Sequence, residues 1–122
     1  MKIDTPAQHR SAVQALRDAA QLGEPERLAA VFDRHVEMLI DGGGVVAADP
    51  RPFRGPDDVA RKICDVLHDD PAAITVREVN GRSGLVLWRR GRVTAVVGIQ
   101  VRRLHVTDLW VQLNPNKLRH WN

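Results

Sequence analysis

The chain has 122 residues, with 18 lysines and arginines against 15 aspartates and glutamates, and a formal net charge of +3 at pH 7. This length fits one domain, and the basic residues occur as pairs such as Arg89-Arg90 rather than as a stripe, which argues against direct nucleic-acid binding. One cysteine, Cys64, excludes an internal disulfide and fits a reducing cytoplasm. We expect a single cytoplasmic domain over residues 1–122, with no membrane span and no secretion signal.

The first half of the chain has mainly the spacing of amphipathic helices. A first helix is predicted after Asp4-Thr5-Pro6, which offers an N-cap with proline in the first turn, and it ends at Gly23. A second helix follows Pro25, and a third follows Gly55-Pro56. Between the second and third helices, residues 35–40 alternate between polar and apolar side chains, so they are predicted to form a strand with one buried face.

From residue 73 onward the apolar residues recur with a period of two. Four strands are predicted, over residues 74–79, 84–89, 93–102 and 105–113. The separators Asn80-Gly81, Arg90-Gly91 and Arg103-Leu104 are short enough to make consecutive antiparallel hairpins. The predicted fold class is therefore α+β, with three N-terminal helices packed on the concave face of a curved antiparallel sheet.

Two stretches carry a resemblance to a known family. They are DGGG at Asp41, Gly42, Gly43 and Gly44, and LNPNKLRHW at 113–121, whose motif residues are Asn114, Pro115, Lys117 and Leu118. With residues 79–93, they resemble the SnoaL-like C-terminal extension of extracytoplasmic-function sigma factors, within the cone-shaped SnoaL-like or nuclear-transport-factor-2-like superfamily. Val45 and Asn116 stand where those proteins usually carry lysine and aspartate.

The resemblance implies a bacterial regulatory module. Residues 1–122 offer no helical segment for the DNA-binding and polymerase-binding regions of a sigma factor, so we expect a chain that cannot initiate transcription alone. It would be either a free-standing relative or the excised extension. A protein partner from the transcription machinery is implied by analogy alone.

Asp41 and Asp108 are the candidate catalytic residues, because enzymes of this superfamily use an aspartate base inside the cone. Val36, Met38 and Ile40 form the inward set of their strand, so Asp41 should point outward and shape the glycine turn. Asp108 points inward if the preceding hairpin is regular, and outward if a bulge near Thr107 shifts the alternation. We favour the bulge, because burying an unpaired carboxylate costs several kcal/mol.

With that bulge the cone has an apolar lining and no titratable group, which suits binding better than catalysis. Its predicted lining residues are Val36, Met38, Ile40, Trp88, Val97, Ile99, Leu109, Val111 and Leu113. His35 and Glu37 share a strand face, but no second histidine lies at ligand spacing, so no metal is expected. No cofactor is expected either.

The outer face of the sheet is predicted to expose Val96 and Trp110. A tryptophan on an open sheet face indicates an interface, here a homodimer, although Trp110 could instead pack on the C-terminal segment with Trp121. That segment is expected to turn at Pro115 and to fold back over the mouth or rim of the cone. Asn114 should cap the turn, and Lys117 should remain in solvent.

The sequence is therefore compatible with two functions. The first is a stand-alone SnoaL-like module that binds a partner or a small apolar ligand and has a regulatory role. The second is a small isomerase, cyclase or hydrolase that acts on a hydrophobic, polyketide- or steroid-like substrate with an aspartate general base. The apolar lining predicted for the cone favours the first function, which would make the chain a non-enzyme.

Overall fold

The computed structural model describes residues 4–42, 51–68 and 73–122 of the chain. Its helices and strands, in chain order, are α1 (Pro6–Leu22), α2 (Pro25–Val31), β1 (Phe32–Asp41), β2 (Phe53–Arg54), α3 (Pro56–His68), β3 (Ala73–Val79), β4 (Arg82–Arg89), β5 (Arg92–Arg102) and β6 (His105–Gln112). A short 3-10 turn, Arg119–Trp121, lies near the C-terminus. The predicted three helices and the hairpin strands are confirmed, and β1 is longer than predicted because it begins at Phe32.

A capping box starts α1. The Thr5 hydroxyl accepts a hydrogen bond from the backbone N–H of Gln8 (3.1 Å), and the Gln8 side chain accepts one from the Thr5 N–H (2.8 Å). These bonds satisfy two backbone donors that a helix start leaves open. The helix ends at Gly23, whose φ of +67° is the left-handed conformation that glycine adopts without steric cost.

Each predicted hairpin turn has two central residues with positive φ, as type I′ turns require. Two of the turns contain glycine, but the third is Arg103-Leu104, with φ of 51° and 66°. A non-glycine residue in this region costs roughly 1–2 kcal/mol. Asp4 offsets part of that cost, because its carboxylate accepts hydrogen bonds from both turn N–H groups, at 2.9 and 2.8 Å.

The strand order of the sheet is β2-β1-β6-β5-β4-β3. The hairpin pairings are antiparallel as predicted, but β1 and β6 run parallel, so the sheet is mixed rather than wholly antiparallel. A parallel neighbour requires a long connection, and here α3 and four strands separate β1 from β6 along the chain. The α+β class, with three helices on a curved sheet, is confirmed.

The predicted bulge in β6 is also confirmed. Gln100 pairs with Asp108, while Val101 pairs with Val106, so Thr107 is the extra residue on its strand. The shift turns Leu109 into the core, where it is 2% exposed, and leaves Trp110 on the other face. The gain from burying apolar side chains therefore decides which residues of β6 face the core.

Two apolar clusters cover the two faces of the sheet. The larger one lies between the helices and the concave face, and includes Leu16, Leu28, Val36, Val59 and Leu109. The smaller one lies on the outer face, where the C-terminal tail covers the sheet; its members are Val79, Val86, Trp88, Val93, Val96, Leu118 and Trp121.

The outer cluster corrects three expectations. Trp88 does not line the cone, because Leu85 and Leu87 take the inward positions of β4 and alternation directs Trp88 outward. Val96 is not exposed, because it lies in the cluster that the tail covers, and its exposed fraction is 5%. The tail packs on the outer face rather than across the mouth of the cone, since the valines there offer it an apolar surface.

Candidate functional site

A cavity of about 40 Å³ lies between α1, α3 and the concave face of the sheet. Its described walls are aliphatic side chains and one methionine: Leu16, Ala20, Met38, Ile40, Ile63, Val66, Ile74, Leu85, Leu87, Val97, Leu109 and Val111. An apolar cavity of this kind offers no hydrogen-bond partner to water, whereas it can admit an apolar ligand.

The residues predicted to line the cone fall into three groups. Met38, Ile40, Val97, Leu109 and Val111 line the cavity. Val36 and Ile99 are buried in the core around it, and Leu113 packs against that core partly buried. Trp88, as described above, lies on the other face of the sheet.

The sequence prediction missed part of the cavity wall, because it relied on strand alternation in β1, β5 and β6. The missing walls come from α1, α3, β3 and β4. Leu16 and Ala20 are four residues apart on the buried stripe of α1, and Ile63 and Val66 lie three apart on α3. The helical spacing marked these stripes as buried. The sequence did not show which positions of each stripe face a gap, because that depends on how the helices sit on the sheet.

Asp41 ends β1 on the outer side of the sheet, next to Gln112 of β6. Its carboxylate accepts hydrogen bonds from Lys117 Nζ (2.7 Å) and from Gln112 Nε2 (3.2 Å). The sequence also predicted bonds from the glycine N–H groups, but Gly43 and Gly44 lie outside the described residues. The Asp41 carboxylate therefore faces the C-terminal tail and not the cavity.

The tail motif forms a compact turn after β6. The side-chain oxygen of Asn114 accepts a hydrogen bond from the Asn116 N–H (3.1 Å), as expected for the capping residue. Leu118 is 4% exposed in the outer cluster, and Asn122 exchanges two hydrogen bonds with the backbone of Val93 (2.8 and 3.1 Å). Lys117 is exposed, as expected, and its ammonium group forms an ion pair with Asp41 because the turn brings it beside that carboxylate.

Asp108 also lies outside the cone. It pairs in register with Glu37 of β1 and borders a polar cleft of about 440 Å³. Asp33, His35, Gln100, Arg102, Arg103 and Thr107 form the remainder of that cleft. Glu37 is ion-paired with Arg54 (2.7 Å), so its carboxylate is directed to a cation on the neighbouring strand.

Cys64 is half-buried on α3, and its thiol lies 3.8 Å from the backbone oxygen of Gly23. Burial raises the pKa of the Cys64 thiol, and the negative charge of Asp65 adds to the increase. A raised pKa leaves less reactive thiolate at neutral pH.

An exposed apolar strip crosses the outer face beside the tail. Trp110 is 47% exposed and its register neighbour Leu39 is 44% exposed. Gly98 is the neighbour of Trp110 on the opposite side, so the indole lies over a position without a side chain. Of the two predicted interface residues, the structure leaves only Trp110 accessible.

No protein-family model matches the sequence. A UDP-GlcNAc:ribostamycin N-acetylglucosaminyltransferase from Streptomyces fradiae is 41% identical over 69 residues, which include 51% of this chain and 19% of that enzyme. The chain therefore spans about a fifth of the length of this curated relative.

Solved structures resemble the whole fold. The extracytoplasmic function sigma factor SigJ of Mycobacterium tuberculosis aligns with a TM-score of 0.73 and 23% identity, over 92% of this chain and 44% of that protein. An NTF2-like protein of unknown function from Mesorhizobium loti aligns with a TM-score of 0.65 and 14% identity, over 93% of this chain and 97% of that protein. At these identities the likeness shows the fold. Within the described residues, none of the helices is both long and apolar enough to cross a membrane.

Proposed function

We propose that this chain, whose fold is the NTF2-like cone, is a non-catalytic binding module that takes a small apolar ligand into the cone. The observation that carries the proposal is the lining of the cavity, which is apolar at every described position. Each buried CH₂ group of a ligand contributes about 0.8 kcal/mol of transfer free energy, so such a wall favours alkyl groups.

The size of the cavity limits the ligand. A volume of about 40 Å³ exceeds the roughly 10–15 Å³ that one water molecule needs, but it is well below the roughly 150 Å³ of an engineered cavity that holds benzene. We therefore propose that the cavity holds one end of an alkyl chain, or a compact group of a few heavy atoms. A whole steroid or polyketide would require the helices to move.

The positions of the candidate bases support binding over catalysis. Asp41 and Asp108 both lie on the outer side of the sheet, so neither carboxylate reaches a substrate held in the cavity. A general base must come within hydrogen-bond distance of the proton that it removes. The enzyme hypothesis would therefore need a base from outside the described cavity wall.

Xenon under pressure is a direct probe of the cavity, because it is apolar and binds in dry apolar cavities. We expect the methyl NMR signals of Met38 and Leu109 to shift with xenon pressure and to saturate. Ala20→Leu should fill the cavity and abolish those shifts. Ala15→Leu, the same change at an exposed position of α1, is the matched control and should leave them intact. Shifts that do not saturate, or that persist in Ala20→Leu, would contradict the proposal.

We also propose that a second copy of the chain covers the exposed strip of Leu39 and Trp110. A symmetric dimer places the same patch on both partners. Trp110 and Leu39 are neighbours in register and are 47% and 44% exposed, so a partner that covers them would remove apolar surface from water.

The regulatory part of the proposal rests on analogy. SigJ, a sigma factor, contains a region of this fold, and the chain matches 44% of that protein. We propose that ligand or partner occupancy of this module is sensed by a protein of the transcription machinery. Co-purification with a sigma factor from the same genome, lost on Trp110→Ala or on tail deletion, would support that role.

A further inference from the structure

Helix α1 runs along the outer edge of β3, and two of its side chains cover that edge at Ile74. Arg17 Nε donates a hydrogen bond to the Ile74 carbonyl (2.9 Å), and the Ile74 N–H donates one to Gln21 Oε1 (3.2 Å). Since β3 ends the strand order, its outer edge has no strand neighbour among the described residues. The backbone groups of Ile74 therefore point away from β4.

Backbone direction alternates along a strand, so the N–H and C=O groups of Val76 and Glu78 also point away from β4. Arg17 and Gln21 belong to a row of polar side chains along α1. This row keeps pace with the strand, because four helix residues rise about 6 Å and two strand residues rise about 6.8 Å. The next members of that row are Gln14 and Arg10. Gln14 donates to Asp18 on its own helix rather than to β3, so this part of the edge is not covered as Ile74 is.

A groove of about 880 Å³ lies at this open part of the edge. Its lining includes Asp4, Arg10, Val76, Arg77, Glu78 and Arg82. Arg10, Arg77 and Arg82 are exposed, and among the described residues none of them forms an ion pair. Asp4 is engaged by the turn at Arg103-Leu104, which leaves Glu78 as the remaining carboxylate.

We propose that this groove binds an acidic peptide segment in extended conformation, as an added strand on the edge of β3. Strand addition takes its affinity from backbone hydrogen bonds and its specificity from side-chain contacts on both faces. Val76 and Glu78 supply two outward backbone donors and two outward acceptors, spaced as an extended chain requires. The peptide is a partner class distinct from the apolar ligand of the cone.

The charges around the edge favour an acidic peptide. Arg77 lies between Val76 and Glu78 in β3, so its side chain is on the outer face of the sheet. Arg10 lies on the opposite side of the groove, on helix α1. A strand added between them would have a guanidinium group beside each of its faces. Arg82 lies at the hairpin end of the groove, where it faces the end of the added strand. A guanidinium group binds a carboxylate through paired N–H donors, which favours aspartate or glutamate side chains.

Charged residues on an edge can also serve only to prevent strand addition. The two roles make different predictions, so the experiment uses a heptapeptide of sequence VDDVDDV, which presents aspartate on both faces of an added strand, and the same peptide with alternate backbone nitrogens methylated. The readout is amide hydrogen exchange in the full chain. Addition of the first peptide should slow exchange at Val76 and Glu78 at least tenfold, and the methylated peptide should bind at least tenfold more weakly.

Two variants separate strand addition from simple charge attraction. Glu78→Pro removes an outward N–H that the ladder with β4 does not use, so the fold should persist while peptide affinity falls about tenfold. Arg82→Glu should weaken binding at least fivefold. Its matched control is Arg92→Glu, because both arginines are exposed and directly follow the glycine of a hairpin turn, but Arg92 lies outside the groove.

Several outcomes would overturn the proposal. They are equal binding of the methylated and unmethylated peptides, equal losses in the Arg82 and Arg92 variants, or no slowing of exchange at low millimolar peptide. Inorganic phosphate that competes with the peptide at equal concentration would show an anion site instead of strand addition. Melting temperatures within a few degrees of the unmodified chain confirm that each variant is folded.

Discussion

The Lys117 ammonium group lies 2.7 Å from the carboxylate of Asp41, although 76 residues separate them in the chain. This ion pair joins the DGGG stretch to the tail motif, the two segments that carry the family resemblance. Gln112 strengthens the junction, since it donates to Asp41 and accepts from the Asn114 N–H (2.9 Å). The tail is thus connected to the end of β1, whose Ile40 lines the cavity.

Removing the charge of Lys117 should have a small effect on stability. Both side chains of the pair are more than two-fifths exposed, and exposed ion pairs contribute roughly 0.2–1 kcal/mol. We expect Lys117→Gln to lower the free energy of unfolding by less than about 1 kcal/mol, and Asp41→Asn to have a similar effect. A double-mutant cycle by urea unfolding measures the coupling, and a coupling above about 2 kcal/mol would show that the pair is more than a surface contact.

Leu118 should matter far more than Lys117. It is 4% exposed among the valines of the outer cluster, and leucine-to-alanine changes at buried sites cost roughly 2–5 kcal/mol. Leu118→Ala should therefore lower the melting temperature clearly, whereas Leu104→Ala, at a site that is 52% exposed, should barely change it. Equal effects of the two variants in thermal unfolding would show that the tail does not pack on the sheet.

Deleting residues 114–122 should uncover the outer valines. Val86 and Val96 are 0% and 5% exposed with the tail in place, and the deletion removes Leu118 and Trp121 from their cluster. We expect a lower melting temperature and stronger fluorescence of the dye ANS, which binds exposed apolar surface. Unchanged melting and unchanged dye binding would contradict the packing of the tail.

Trp110→Ala should weaken self-association without unfolding the domain. The indole is 47% exposed beside Leu39, so the change removes interface area but little core packing. Sedimentation at micromolar concentrations should give a dimer for the unmodified chain and a larger dissociation constant for the variant. Leu104→Ala is the control for loss of an exposed apolar side chain elsewhere. A monomer at high micromolar concentration of the unmodified chain would refute the dimer.

Two glycines of neighbouring strands should respond oppositely to alanine. A Cβ atom at Gly84 would collide with the backbone oxygen of Val97 and lie 2.8 Å from Val79 Cγ2, so Gly84→Ala should cost roughly 1–3 kcal/mol. At Gly98 the nearest atom would be Trp110 Cε3 at 3.6 Å, an ordinary contact. We expect Gly98→Ala to be neutral or slightly stabilising in urea unfolding. A similar loss at both positions would contradict this difference in packing.

The sequence by itself determined the elements whose causes are local. Thr5-Pro6 and Gly23 bound α1 through capping bonds and a positive φ, and the two-residue separators set three hairpins. The Thr107 bulge could also be inferred, because only that shift buries Leu109 and Val111 while it keeps Asp108 out of the core. These features depend on residues that are neighbours in the chain, or on one comparison between the gain from burying apolar side chains and the cost of burying a carboxylate.

Only the tertiary structure decided how distant segments meet. Alternation separates the two faces of a strand, but it does not reveal which face another segment will cover, so Val96 was expected to be exposed and Trp88 to be inside. The parallel pairing of β1 with β6 and the contact of Lys117 with Asp41 follow from the path of the chain around α3 and the hairpins. The cavity has the same origin, because a gap between helices and sheet depends on how side-chain volumes fill the space, and no local pattern encodes that.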